Sequence, residues 1–509
     1  MDLITQNIPA LIVVTPLVMG LLTGIFGRKA AGWWMAMGTT SAVLAMAVQL
    51  LVNVLNSGTL QVTYQMGNWP APFGIVYVVD PLNASVLTVV ALIGAVVTLF
   101  ARKSTLNEVP QDRAHFFWAI WQFCMVGLLG ITITGDAFNL YVLLEISSLS
   151  TYTLVAMGKG RDRRALTAAI NYVVLGSIGA CFYLLGIAYL YMVTGSLNIA
   201  DIHHILTTKV YPTWATDAPL YHKTVVAGFA FMAVGLSLKL ALFPLHTWLP
   251  NAYTYAPSAV SALLASTATK VGAYAFIRVL YSLVGIDFAF SHLHTDQVLL
   301  VCAGLAIVVG SAMAIRQQNV KKLLAYSSIG QIGYICMGFA LANQDGLTAS
   351  VIHIFNHALT KGGMFMALGC VAYRVGGTRL EHLRGLGRQM PWTMAAFTAG
   401  GMGLIGVPLT AGFVSKWYLV SGAIGAGQVL WAGVVLVGSI LALIYTWRCV
   451  EAIYFGQRAE GAPVVREAPL TMLVPTLLLA GASVYFGIDT RTTTEIAGTA
   501  ARFLLGATP

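Results

Sequence analysis

The stretch Lys239-Leu-Ala-Leu-Phe-Pro-Leu-His-Thr-Trp-Leu-Pro250 sets an ammonium, a proline and an imidazole inside a hydrophobic run that otherwise reads as a membrane helix. A charge at membrane depth is costly and is kept where it serves a function. Pro244 removes a backbone donor and frees the carbonyl of Leu240, four residues earlier. In hydrocarbon that carbonyl must find a protein partner or water, so the break implies a hydrated interior. The expectation is a membrane transporter with its chemistry on a broken helix.

Outward from this stretch, the chain is 58% hydrophobic and only 9% charged over 509 residues, with a mean hydropathy of +0.79. A soluble protein carries about one quarter charged residues, which excludes that class. The first apolar run has no basic segment before it and no small-residue cleavage site after it, so it is expected to be retained. Cys124, Cys181, Cys302, Cys336, Cys370 and Cys449 lie scattered in or beside apolar runs without Cys-x-x-Cys spacing. They read as buried membrane thiols; neither a metal nor a cofactor is expected.

At about twenty residues per span, helices are expected near 7–26, 31–54, 79–101, 116–134, 137–157, 167–193, 224–249, 258–284, 298–315, 323–342, 348–373, 392–421, 428–450 and 469–488. Fourteen crossings put both termini on one side. Of the 28 basic residues, 19 fall in loops on the other side, from Arg28 and Lys29 through Arg161 and Lys321 to Arg466, and 4 fall on the side of the termini. The positive-inside rule then places both termini outside, and the net charge of +10 marks a membrane face, not a nucleic-acid surface. Five basic residues remain at membrane depth: Lys239, Lys270, Arg278, Lys361 and Lys416.

The loop 55–78 reads as a turn region with a short hairpin, and Asp80-Pro81 reads as a helix start. Glu145 lies eight residues into the fifth span, roughly 12 Å deep by helical rise, and is the one carboxylate at that depth. Unpaired, it would be protonated, so a basic partner is expected, and Lys239 is the candidate. Making and breaking that pair would switch the lysine between holding and releasing a proton; a static ion pair is the alternative. His246, past the proline, is a candidate proton relay near neutral pH or else a hydrogen-bonded wall residue.

In the eighth span, Ser258, Ala262, Ser266 and Lys270 recur every four residues, a polar stripe that packs closely or lines a wet path. Arg278 has the reach to snorkel. Lys321 and Lys322 read as anchors on the basic side, followed by a polar patch of Ser327, Ser328 and Gln331. His353, Asn356, His357 and Lys361 share a face of the eleventh span. His-x-x-x-His suggests a metal pair, but no glutamate or third ligand accompanies it, and a proton path is preferred. Gly403-Leu-Ile-Gly-Val-Pro-Leu-Thr-Ala-Gly-Phe-Val-Ser-Lys416 is a second interrupted helix, broken at Pro408 and again followed by a lysine. Two such breaks, one in spans four to eight and one in spans nine to thirteen, suggest inverted five-helix repeats. The segments are then 1–105 (three spans), 106–285 and 286–455 (the repeats), and 456–509 (a last span and an amphipathic interfacial tail).

Three motifs carry a family resemblance: Asn139-Leu-Tyr-Val-Leu-Leu-Glu145-Ile-Ser-Ser-Leu149, the stretch quoted at the outset, and Ala325-Tyr-Ser-Ser-Ile-Gly-Gln331. Over roughly residues 75–455 the chain resembles the proton-translocating membrane subunits of respiratory complex I and their relatives. Within that family it is similar to the D-type subunits of the Mrp-type multisubunit sodium/proton antiporters, through Asp-Arg-Ala-His-Phe-Phe-Trp118 and Gly195-Ser-Leu-Asn-Ile-Ala-Asp-Ile202. The resemblance implies an all-α polytopic fold of fourteen helices with inverted repeats and broken seventh and twelfth spans. It implies Glu145 and Lys239 as a charge pair, Lys270 as a bridge, His353, His357 and Lys361 as a link, and Lys416 as the terminal lysine. It further implies a subunit in a bacterial inner membrane, assembled with partners like Mrp A, B, C, E, F and G and moving protons against a monovalent cation such as Na+. The alternatives are a pumping subunit of complex I or of a membrane hydrogenase, which would leave redox chemistry to its partners, and an energy-coupling subunit of inorganic carbon uptake.

Overall fold

The computed structural model describes residues 3–27, 30–160, 162–215, 219–458 and 464–506; Arg28, Lys29 and Arg161 of the basic loops lie outside these. Six helices open the chain: α1 (Leu3–Phe26), α2 (Ala31–Leu55), α3 (Pro81–Glu108), α4 (Ala114–Ile133), α5 (Ala137–Ala156) and α6 (Arg164–Thr194). Strands β1 (Val62–Gln65) and β2 (Val76–Val79) form the expected hairpin between α2 and α3, antiparallel with Val62 opposite Val79. After the short α7 (Ile199–Ile205), the seventh span runs as α8 (Pro219–Leu240), a non-helical 241–248, and α9 (Leu249–Tyr255). The eighth is α10 (Ser258–Ser266) and α11 (Ala268–Arg278). Then come α12 (Thr295–Ile315), α13 (Val320–Ala340), α14 (Gln344–Val375), the four-residue α15 (Leu380–Leu383), the split α16 (Pro391–Ile405) and α17 (Ala411–Gly425), α18 (Val429–Val450) and α19 (Leu470–Ile488). The tail forms α20 (Arg491–Leu504), packed against α3 and α14.

Among the described residues, twelve helices are long and apolar enough to cross a membrane. They leave out α14, whose hydropathy is lowered by His353, Asn356, His357 and Lys361, and the α16–α17 pair, whose halves have 15 residues each. A half of that length is short of the roughly 20 residues a span needs. Taken with these two, the all-α bundle has its fourteen spans.

Helix starts follow local chemistry. Asp80 caps α3, accepting from the amides of Leu82 (3.0 Å) and Asn83 (3.1 Å), with Pro81 at the first helical position. Asp136, Asn319 and Asn343 cap α5, α13 and α14 in the same way.

The repeats are visible in two reciprocal backbone clasps. Ala137 N donates to Leu197 O (2.8 Å) and Ile199 N to Gly135 O (3.0 Å) on the side of the termini. Val320 N donates to Thr378 O (2.8 Å) and Leu380 N to Gln318 O (2.8 Å) on the opposite side. The same clasp on opposite faces is what an inverted pair of units produces.

Four features depart from the sequence reading. A third interruption appears at Thr267 (φ −124°, ψ −55°), inside the eighth span. Lys321 is no surface anchor: it is buried and donates to Ala256 O (3.2 Å) and Ser261 Oγ (3.4 Å). Arg278 does not snorkel but pairs with Asp80. Cys181 is exposed and Cys302 half-buried, while the other four cysteines are buried, because apolar composition alone does not say which face of a span looks outward.

Candidate functional site

The polar residues of the bundle gather on the helices at its centre. The span 258–284 is buried almost throughout, whereas much of α6 faces outward, so the stripe ending in Lys270 is interior. Gly272 makes its close approach possible: a Cβ there would stand 3.1 Å from the backbone of Leu240, the residue after Lys239. The lysine helices α8 and α11 therefore touch where their chemistry lies.

Lys239 occupies the last turn of α8 and reaches α5, donating to Ser148 Oγ (2.6 Å), Ser147 Oγ (3.0 Å) and Leu144 O (3.4 Å). Glu145 is on that same helix, half-buried, and its Oε1 has no hydrogen-bond partner. Among the described residues no ion pair joins Glu145 to Lys239: the expected pair is open, with the ammonium on the serines. Helix α8 ends at Leu240, and the indole of Trp248 donates to the carbonyl of Leu238 (2.8 Å). Within the break, Pro244 follows a cis peptide bond, and His246 stacks on Phe243 (centroids 5.3 Å apart) with its Nδ1 unpartnered.

Lys270 is fully buried and donates to Ala265 O across the Thr267 interruption. The carbonyl freed by the break is thus met by a side chain, as burial requires. Lys361, also fully buried, donates to Leu324 O (2.8 Å) and Ser327 Oγ of α13. One turn back on α14, His357 has both ring nitrogens buried and unpartnered, and it lies 5.8 Å from the His353 ring. His353 bonds Ser415 Oγ (2.8 Å) through Nδ1 and Gln331 Oε1 (3.1 Å) through Nε2. Lys416, beside Ser415 on α17, donates to the last carbonyls of α16, Leu404 (2.9 Å) and Ile405 (2.8 Å), and to Ser439 Oγ (3.0 Å). Its ammonium also lies 4.7 Å from the centre of the Tyr334 ring. Pro408 lies in the non-helical 406–410 that exposes those carbonyls, whose partial negative charge favours a cation.

One pattern went unread in the sequence. Leu144-x-x-Ser147-Ser148 and Leu324-x-x-Ser327-Ser328 are the same motif, and each cradles a lysine with its leucine carbonyl and a serine hydroxyl. In both, the serines bond the leucine carbonyl one turn back. The first cradle has Glu145 after its leucine where the second has Ala325.

Over residues 134–442 the chain matches the family described as NADH:quinone oxidoreductase/Mrp antiporter, TM. It is 39% identical to the N subunit of the NADH-quinone oxidoreductase of Desulforudis audaxviator, over 95% of this chain and 96% of that one. It is 29% identical to the D subunit of the Na(+)/H(+) antiporter of Alkalihalophilus pseudofirmus, over 95% and 94%. Among solved structures, a chain of the membrane-bound sulfane sulfur reductase, an archaeal respiratory membrane complex, superimposes with a TM-score of 0.88 at 30% identity, over 98% of each chain.

Proposed function

Because the chain belongs to the transmembrane family shared by NADH:quinone oxidoreductases and Mrp antiporters, we propose that it is the proton-translocating subunit of a multisubunit monovalent cation/proton antiporter, with Na+ the expected cation. One observation carries the proposal. Lys239, Lys270, Lys361 and Lys416 are held in the bundle by carbonyl and hydroxyl oxygens, with no carboxylate on any of them among the described residues. An ammonium held by neutral acceptors releases its proton without leaving an unpaired carboxylate behind, and a charge moving nearby alters its hold. Protons pass along Lys239, Lys270, His357, Lys361 and Lys416, with His353 and His246 as relays. Movement of Lys239 between the serine cradle and Glu145 gates the step. The functional repeats are residues 106–285 and 286–455, in a bacterial inner membrane with both termini outside and with partners like Mrp A, B, C, E, F and G.

A second reading has its own support: 39% identity to the N subunit of a quinone oxidoreductase favours a pumping arm in a redox complex, with electron transfer in partner subunits. Purifying the intact complex and identifying its other subunits separates the two. Within either complex, Lys239→Ala is expected to assemble and to lose proton translocation in reconstituted vesicles. Full translocation by that variant would remove the proposed axis.

A further inference from the structure

The second serine cradle lacks a group that the first one has. In the first, Glu145 follows Leu144 and offers Lys239 a carboxylate with which to exchange a proton; in the second, Ala325 follows Leu324. Lys361 nonetheless sits there as Lys239 sits in its own cradle, fully buried and donating to Leu324 O (2.8 Å) and to Ser327 Oγ. On α13 nothing takes the place of Glu145.

Helix α18 brings a candidate. It runs antiparallel to α13, and Gly438 sets the register between them: a Cβ there would strike the Tyr334 hydroxyl. Seven residues on from Gly438 stands Tyr445, and seven back from Tyr334 stands Ser327. Two turns away, the same packing therefore brings Tyr445 onto the cradle. The Tyr445 hydroxyl lies beside Ser327 and Gln331. It is buried and completes a hydrogen bond with neither. Leaving a buried hydroxyl without a partner is costly, and a phenylalanine would fill the same space without that cost. Ser439, the residue after Gly438, already accepts from Lys416 (3.0 Å). One face of α18 thus carries a hydroxyl to the surroundings of both Lys361 and Lys416.

We propose that Tyr445 is the proton-exchanging partner of Lys361, reached through Ser327, and does for the second cradle what Glu145 does for the first. The proposal rests on the proton-translocating reading above and adds a residue to its axis. Once Lys361 has given up its proton along the axis, the Tyr445 O–H bond breaks and its proton goes to Ser327 Oγ. Ser327 passes its own proton to the neutral amine of Lys361 in the same movement. An ammonium and a phenolate then stand side by side, and the phenolate takes the next proton carried along the axis, which restores the starting state. A phenol and an ammonium are acids of nearly equal ordinary strength, so the transfer is closely balanced in itself and a charge arriving nearby tips it.

The test uses the intact complex in reconstituted vesicles. Tyr445→Phe removes one oxygen and leaves the ring, so assembly and unfolding temperature are expected to hold while proton movement falls roughly a hundredfold, the lower end for a positioned proton donor. Unchanged proton movement would overturn the proposal. A second measurement keeps both hydroxyl and fold: a monofluorotyrosine and a difluorotyrosine, inserted at position 445 alone, make the phenol stepwise more acidic. The rate is expected to change stepwise with that acidity, which a hydroxyl that only fills space would not cause. Equal rates for tyrosine and both analogues would overturn the proton role. Lys239→Ala, run in parallel, keeps the two ideas apart. Loss of translocation there beside full activity in Tyr445→Phe defeats the role of Tyr445 alone, whereas full activity in Lys239→Ala defeats the underlying reading.

Discussion

Lys239 is better described by its acceptors than by its charge. It is held by three oxygens of one turn of α5, two of them serine hydroxyls. Hydrogen bonds to a charged group contribute roughly 1.5–3 kcal/mol each. The double variant Ser147→Ala/Ser148→Ala leaves only the Leu144 carbonyl, removes little volume, and biases the ammonium toward Glu145. If the cradle is one of two resting places, translocation should drop about tenfold or more, since each 1.36 kcal/mol is a factor of ten, while the amount of assembled subunit stays the same. Rates equal to those of the unaltered protein would show the serines to be packing only. The sequence placed Glu145 on the fifth span and Lys239 on the seventh as a candidate pair but not the serines as acceptors, because a hydroxyl on a membrane helix ordinarily satisfies itself on the carbonyl one turn back. Ser147 and Ser148 do that here as well, so their second role depends on a lysine that arrives from another helix.

At the scale of the element, interrupted helices are what hold this chemistry. Lys416 sits on the carbonyls that α16 exposes by ending at Ile405, and Gly406 makes that ending possible with φ 85°. In Gly406→Ala the left-handed backbone costs roughly 1–2 kcal/mol, and the new Cβ would lie 2.9 Å from Lys416 Cδ. Gly427 offers a matched comparison, with φ 70° and nothing within 4 Å of an added Cβ. Both alanine variants should lower the unfolding temperature, but only Gly406→Ala should lose translocation; equal losses would mean that backbone strain, not displacement of Lys416, is responsible. The breaks at Pro244 and Pro408 were legible because proline announces them. The break at Thr267 was not, since nothing in Leu-Ala-Ser-Thr-Ala-Thr forbids a helix. It persists because Lys270 supplies the donor that the freed Ala265 carbonyl lacks.

At the scale of the whole molecule, the placement of the clasps and the distribution of basic loops agree on one topology. Spans alternate, α20 follows the last on the side where the chain began, and most basic residues face the other way. A fluorescent reporter that matures only in the cytoplasm, fused after residue 506, is therefore expected to stay dark, while the same reporter in the loop after α15 lights up. The reverse pattern would invert the orientation proposed for every step along the axis.

The sequence by itself determined the class, the number of spans, the two proline breaks and the set of intramembrane bases. Each of these follows from composition or from a local rule: hydrocarbon thickness sets span length, proline removes a donor, and a charge in lipid stands out against apolar neighbours. Only the tertiary structure decided what those bases touch. It turned Arg278 from a snorkelling side chain into half of a buried pair with Asp80, far away in sequence, and Lys321 from an anchor into a donor to Ala256. The physical reason is that hydropathy reports how far a residue lies from water along the membrane normal. Which neighbour satisfies it there is settled by helices that meet only once the bundle has closed.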